Sequence, residues 1–174
     1  MRRLWLWAAP VVLLPVFAAE RWELQYFYDK DDSTLVLTDL QFPSPTRGVA
    51  CGTILQDRRR KPVLAHTSDG GRRWDLLPIK DAALSLFFLD ERTGWMVGEK
   101  GGLFATADGG RSWTSAKPAG VRAGPQPIRV FFLDASRGWL LCSRKQVYET
   151  RDGGRSWPLL AASREPGPDL PEGR

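Results

Sequence analysis

Three aspartates stand in one repeated setting and are the first residues to question as acids or bases: Asp69, Asp108 and Asp152. Carboxylates placed on either side of a glycosidic bond can hydrolyse it. Each of these, however, opens an Asp-Gly-Gly turn, and a turn role accounts for it fully. The other reactive groups are sparse. His66 is the one histidine and is expected as a surface or strand-edge residue. There is no Gly-x-Ser-x-Gly elbow, no phosphate loop and no His/Cys metal cluster. No catalytic residue, metal or cofactor is therefore expected.

The elements that position the aspartates form an internal repeat. Thr67, Asp69, Gly70, Gly71 and Trp74 recur as Thr106, Asp108, Gly109, Gly110, Ser112 and Trp113, and again as Thr150, Asp152, Gly153, Gly154, Ser156 and Trp157. The first copy has Arg73 where the others have serine. The Gly pair supplies positive φ for a hairpin turn. The Asp carboxylate can accept N–H groups of its own turn, and the Thr and Ser hydroxyls can join it. The Trp offers a large apolar face to a neighbouring hairpin. The three aspartates are expected on an outer rim, distant from one another.

The repeat is longer than the box. Leu86-Phe87-Phe88-Leu89-Asp90 followed by Gly94-Trp95-Met96-Val97 returns as Val130-Phe131-Phe132-Leu133-Asp134 followed by Gly138-Trp139-Leu140-Leu141. A fainter copy holds Leu40-Gln41-Phe42 and Gly48-Val49-Ala50-Cys51. The boxes are spaced by 39 and 44 residues, a period that marks propeller blades. Within the middle unit, 84–89, 95–97, 103–106 and the stretch after Trp113 read as four short strands separated by glycine. No unit holds ten residues with helical periodicity free of Gly and Pro.

The pattern Thr-x-Asp-Gly-Gly-x-Ser-Trp resembles the Asp-box, or bacterial neuraminidase repeat. The full unit more closely resembles the photosystem II stability/assembly factor family and its non-photosynthetic relatives, over about residues 35–160. The resemblance implies an all-β fold: a partial β-propeller of three four-stranded antiparallel blades. It also implies a non-catalytic scaffold that binds a protein, such as an acidic or membrane-complex subunit. The box occurs in sialidases too, so a sialidase-like glycoside hydrolase or a carbohydrate-binding module is the alternative. That activity would need three separated arginines converging on a carboxylate and a Tyr–Glu nucleophile pair. Arg58-Arg59-Arg60 are contiguous, and Tyr148 and Glu149, adjacent on a strand, point to opposite faces.

Of the 174 residues, 43% are hydrophobic and eight are Trp, five of them within the repeats. Residues 1–19 read as a secretory signal: Arg2-Arg3, an apolar run to Phe17, and cleavage after Ala18 or Ala19. The protein is thus expected to be exported, periplasmic or extracellular. Loss of the two signal arginines lowers the net charge from +5 to +3, which does not argue for nucleic acid. Cys51 and Cys142 fall in different units and are expected as buried thiols rather than a disulfide.

The remaining boundaries follow: an N-terminal strand and turn over 20–34 (the strand at 22–28), blades at 35–80, 81–118 and 119–160, and a disordered tail from 161 to 174. The first unit carries about seven extra residues, expected as a loop whose tip holds Arg58, Arg59, Arg60 and Lys61. These four are the candidate partner-binding cations. Closed propellers have about four to eight blades. Three units suit the front part of a longer propeller, a homodimer giving six blades, or an open arc whose edges need a partner.

Overall fold

The computed structural model describes residues 24, 28, 30, 32–116, 119–121 and 124–162. The expected signal at 1–19 lies outside them, as do residues 163–174 of the expected tail; its first two residues, Ala161 and Ala162, are instead paired with Val147 and Gln146 at the end of a strand. The expected strand at 22–28 also lies outside them, apart from Leu24 and Tyr28.

Apolar runs punctuated by glycine form twelve strands among the described residues. The first sheet holds β1 (Thr34–Gln41), β2 (Gly48–Gln56), β3 (Arg59–Thr67) and β4 (Asp75–Pro78). The second holds β5 (Ala83–Phe88), β6 (Gly94–Gly98), β7 (Leu103–Thr106) and β8 (Thr114–Ser115). The third holds β9 (Pro127–Phe132), β10 (Gly138–Cys142), β11 (Gln146–Thr150) and β12 (Leu159–Ala162). Each sheet is an antiparallel meander in sequence order. The all-β expectation of three four-stranded sheets is met.

The three sheets share a register. Phe88 pairs with Gly94, and Phe132 with Gly138. A Cβ on Gly94 or Gly138 would lie 2.6 Å from the paired phenylalanine ring. The strand-opening glycine is therefore required by that ring.

Side chains alternate across each second strand, and this alternation builds two cores. Val49 and Cys51 on β2 meet Leu86, Phe88 and Met96 of the second sheet. Trp95 and Val97 on β6 meet Val130, Phe132, Leu140 and Tyr148 of the third. Trp95 lies flat on Phe132, with centroids 3.6 Å apart and planes 14° apart. Each middle-strand residue thus faces either the sheet before or the sheet after. Polar stitches join β1 to β5: Thr38 Oγ1 donates to the Ala83 carbonyl at 2.8 Å, and Asp39 Oδ2 accepts the Leu86 N–H at 2.9 Å.

Cys51 and Cys142 are buried and free, one in each core. Burial raises the Cys51 thiol pKa and pushes Cys142 up to about 11.

The extra residues of the first unit do not form a loop. They lengthen the β2–β3 hairpin, whose pairing runs unbroken from Gly48↔Thr67 to Gln56↔Arg59. The turn is only Asp57-Arg58, and Asp57 takes a φ of 52°. Continuing the ladder satisfies backbone groups that a seven-residue loop would leave to water. Arg59, Arg60 and Lys61 therefore belong to β3 and alternate between faces, so the four cations are not one cluster at a tip.

Candidate functional site

The sequence-singled box residues gather at the ends of the third strands, once per sheet. In the second sheet Thr106 Oγ1 donates to Asp108 Oδ1 at 2.8 Å and accepts the Gly110 N–H at 2.9 Å. Asp108 Oδ1 accepts the Ser112 N–H at 2.9 Å, and Oδ2 accepts the Ser112 hydroxyl at 2.5 Å. In the third sheet Thr150, Asp152, Gly154 and Ser156 repeat these bonds at 2.8, 2.9, 2.9 and 2.6 Å. Trp113 and Trp157 donate their indole N–H to the carbonyls of Gly110 and Gly154, at 2.9 and 3.0 Å.

The first box reaches the same geometry with different chemistry. Thr67 binds Asp69 and Gly71 as its counterparts do, each at 2.9 Å. Where the others use serine, Arg73 donates its N–H to Asp69 Oδ1 at 2.9 Å and its Nε–H to Oδ2 at 3.0 Å.

Each box also clamps its own sheet. Gly70, Gly109 and Gly153 donate N–H to the carbonyls of Thr46, Arg92 and Ser136, in the turn between first and second strands. Gly109 sits at φ +73°, and a Cβ there would lie 2.6 Å from the Glu91 carbonyl oxygen. Each box Trp meets edge-on the phenylalanine at the end of the first strand, or in the first sheet just past it: Phe42–Trp74 at 5.9 Å, Phe88–Trp113 at 6.0 Å and Phe132–Trp157 at 5.8 Å. The Trp therefore folds back on its own sheet.

These bonds depress the carboxyl pKa values. Asp69 falls to about 2, chiefly through the Arg73 backbone N–H and then its side chain. Asp108 falls to about 2 through the Ser112 hydroxyl and then its N–H. Asp152 is lowered further still by Ser156. A depressed folded-state pKa gives stability that is present above the unfolded value, 3.8, and lost as pH falls through about 2. The urea midpoint of tryptophan fluorescence is expected to hold from pH 7 to about pH 4 and to drop between pH 4 and pH 2. Asp108→Asn should flatten part of that drop; an unchanged slope would remove Asp108 from it.

Sequence reasoning missed several residues. Asp90 Oδ1 accepts the N–H groups of Arg92 and Thr93, both at 2.7 Å, and Asp134 does the same for Ser136 and Arg137, both at 2.8 Å. Their place at the end of the Phe-Phe-Leu-Asp run was the available signal. Glu149 is buried and held by Arg137 at 2.9 Å and Arg151 at 3.2 Å. It lies on the face opposite the buried Tyr148, as strand alternation requires.

His66 departs from expectation. It is half-buried on the interior strand β3, and its Nε2 is buried with no hydrogen-bond partner. The second sheet's box covers it: a Cβ on Gly110 would lie 3.1 Å from His66 Cε1. Burial, followed by the charge of Arg111, lowers its pKa.

A cleft of about 380 Å³ opens between the first two sheets, lined by Arg47, His66, Asp75, Glu91, Asp108 and Arg111 among others. Glu91 pairs with Arg47 at 3.3 Å, and Asp108 is engaged by Thr106 and Ser112. Every described carboxyl with a shifted pKa is lowered, whereas a general acid needs one raised. Among the described residues no group of His, Cys, Asp and Glu could hold a metal ion.

No protein-family model matches the chain, and no curated protein matches it. Solved structures do. YCF48 from Cyanidioschyzon merolae superposes with a TM-score of 0.60 at 23% identity, over 75% of this chain and 38% of that one. YCF48 bound to D1 peptide gives 0.59 at 22% identity, over 76% of this chain and 45% of that one. YCF48 is a β-propeller. The chain carries three propeller blades. It spans less than half the length of the YCF48 chains it matches. A GH74 xyloglucanase from Xanthomonas campestris follows at a TM-score of 0.48 and 17% identity, over 69% of this chain and 22% of that one.

In the blades, the box residues form corners that fix each third strand to the next. Arg58, Arg59 and Lys61 are exposed on the long hairpin of the first blade and make no ion pair with a described residue; Arg60 reaches Glu99 of the second blade at 3.4 Å.

Proposed function

We propose that the chain is an exported, non-catalytic propeller segment that binds a protein partner and acts as an assembly scaffold. The observation that carries this reading is the division of labour among its charges. The box aspartates are engaged within their own corners, while Arg58, Arg59 and Lys61 stand exposed on the longest hairpin. The likeness to YCF48, one structure of which holds a D1 peptide, supports a protein ligand. The partner is an acidic segment of an envelope or membrane complex, met after the signal at 1–19 is removed.

Cross-linking capture from an envelope fraction tests this. The wild-type chain should retain a defined protein. Arg58→Glu/Arg59→Glu/Lys61→Glu should lose it at least about tenfold, with binding that weakens as salt rises. Equal capture by the variant, or a glycan-array signal with no protein captured, would overturn the reading.

A further inference from the structure

The two seams between the blades are built on one frame but filled differently. Gly48↔Thr67 in the first blade matches Gly94↔Thr106 in the second. Val49, paired with His66, therefore stands where Trp95, paired with Ala105, stands one blade on. In the second seam the Trp95 indole lies flat on Phe132, and a Cβ on Gly154 would lie 3.5 Å from its Nε1. In the first seam His66 Cε1 takes that place, 3.1 Å from a Cβ on Gly110. One seam holds an indole and a methyl group, the other an imidazole and an isopropyl group.

An imidazole fills only part of the space an indole takes, because it lacks the fused six-membered ring. The cleft of about 380 Å³ opens at this same seam, and Val49 and His66 both line it. That volume is near the lower end of ligand pockets and suits one or two fused rings. The walls suit a flat one. The imidazole is itself planar, and Val49 and the exposed Leu77 add apolar contact. Across the cleft, on the second blade, Arg111 is exposed and makes no ion pair with a described residue, whereas Arg47 is tied to Glu91 at 3.3 Å. A guanidinium free to lie over an aromatic face is attracted to it. Asp75, paired with His66 and exposed, offers an acceptor to an N–H on the ring's edge.

We infer that this cleft binds a planar aromatic ligand bearing a ring N–H, of the indole class, seated between Val49 and His66 of the first blade and Arg111 of the second. The ligand completes from outside the packing that Trp95 completes from within at the next seam. The site lies between two blades of this chain and uses none of the hairpin cations, so it stands apart from the partner proposed above.

Nuclear magnetic resonance on the full, untagged chain tests it, because His66 is the one histidine and its Cε1–H signal is unambiguous. Titration with indole should shift that signal saturably, with a dissociation constant at or below about 1 mM, the range open to a ligand of so few atoms. Intermolecular NOEs should join indole protons to the Val49 methyls. Cyclohexanecarboxamide, which has the N–H but no flat ring, should bind at least about tenfold more weakly. N-acetyl-tryptophanamide carries the indole on a peptide unit. Binding as tight as indole's assigns the ring to a peptide side chain, and binding of indole alone assigns it to a free small molecule; both support the site. Val49→Trp/His66→Ala rebuilds the pair of the second seam and should weaken indole binding at least about tenfold in calorimetry, since the chain then fills its own cleft. Circular dichroism verifies folding. If that variant unfolds, Val49→Phe, followed by the same His66 signal, should show the same loss. The inference is overturned by an absence of saturable shift up to the solubility of indole, by NOEs only to residues outside the cleft, by equal binding of cyclohexanecarboxamide, or by undiminished binding to a folded, filled variant.

Discussion

Trp157→Ala is expected to lower the unfolding free energy by about 3–5 kcal/mol, the cost of emptying a fully buried indole site. Trp157 is completely buried, meets Phe132 edge-on, donates to the Gly154 carbonyl, and gives its own N–H to Ala119. Removing it opens a void beneath the ring that also carries Trp95. Trp74→Ala is the internal comparison. Trp74 occupies the same box position but is half-buried, so its loss should cost roughly 1–2 kcal/mol by the area it covers. Urea titrations of the two variants give the order directly. Equal losses would contradict the difference in burial.

Thr150→Val should cost about 1–3 kcal/mol, although the two side chains are nearly isosteric. Thr150 is fully buried, and its hydroxyl both donates to Asp152 and accepts the Gly154 N–H. Valine fills the space and leaves that N–H buried without a partner. Thr150→Ser keeps the hydroxyl and should recover most of the loss. If valine keeps wild-type stability in thermal unfolding and serine loses it, the packing of the methyl group, not the hydrogen bonds, is what the position supplies.

Much of the fold was legible because the box constrains backbone shape at close range. Asp-Gly-Gly with a Thr before it and a Trp after it fixes a corner, and three corners at near-equal spacing fix three sheets. The same locality made the aspartates readable as turn formers. What escaped depended on distant partners. The run Arg58-to-Lys61 has the composition of a solvated loop, and only the unbroken ladder to β2 makes it a strand. His66 looked peripheral because nothing near it in sequence announces that Gly110, 44 residues on, lies over its ring. The burial of Glu149 needs Arg137, which approaches only after β10 and β11 have paired.

The Arg73 substitution bears on how such a corner can change over time. Asp69 asks only for a proton on its second oxygen, and a guanidinium arm reaching from outside serves as well as a hydroxyl tucked beside it. That seat is chemically permissive, whereas the Thr and Gly seats, closed in by backbone, are not. Lineages can therefore drift at the serine position without passing through a broken corner. A search pattern that insists on serine will overlook blades that are structurally whole.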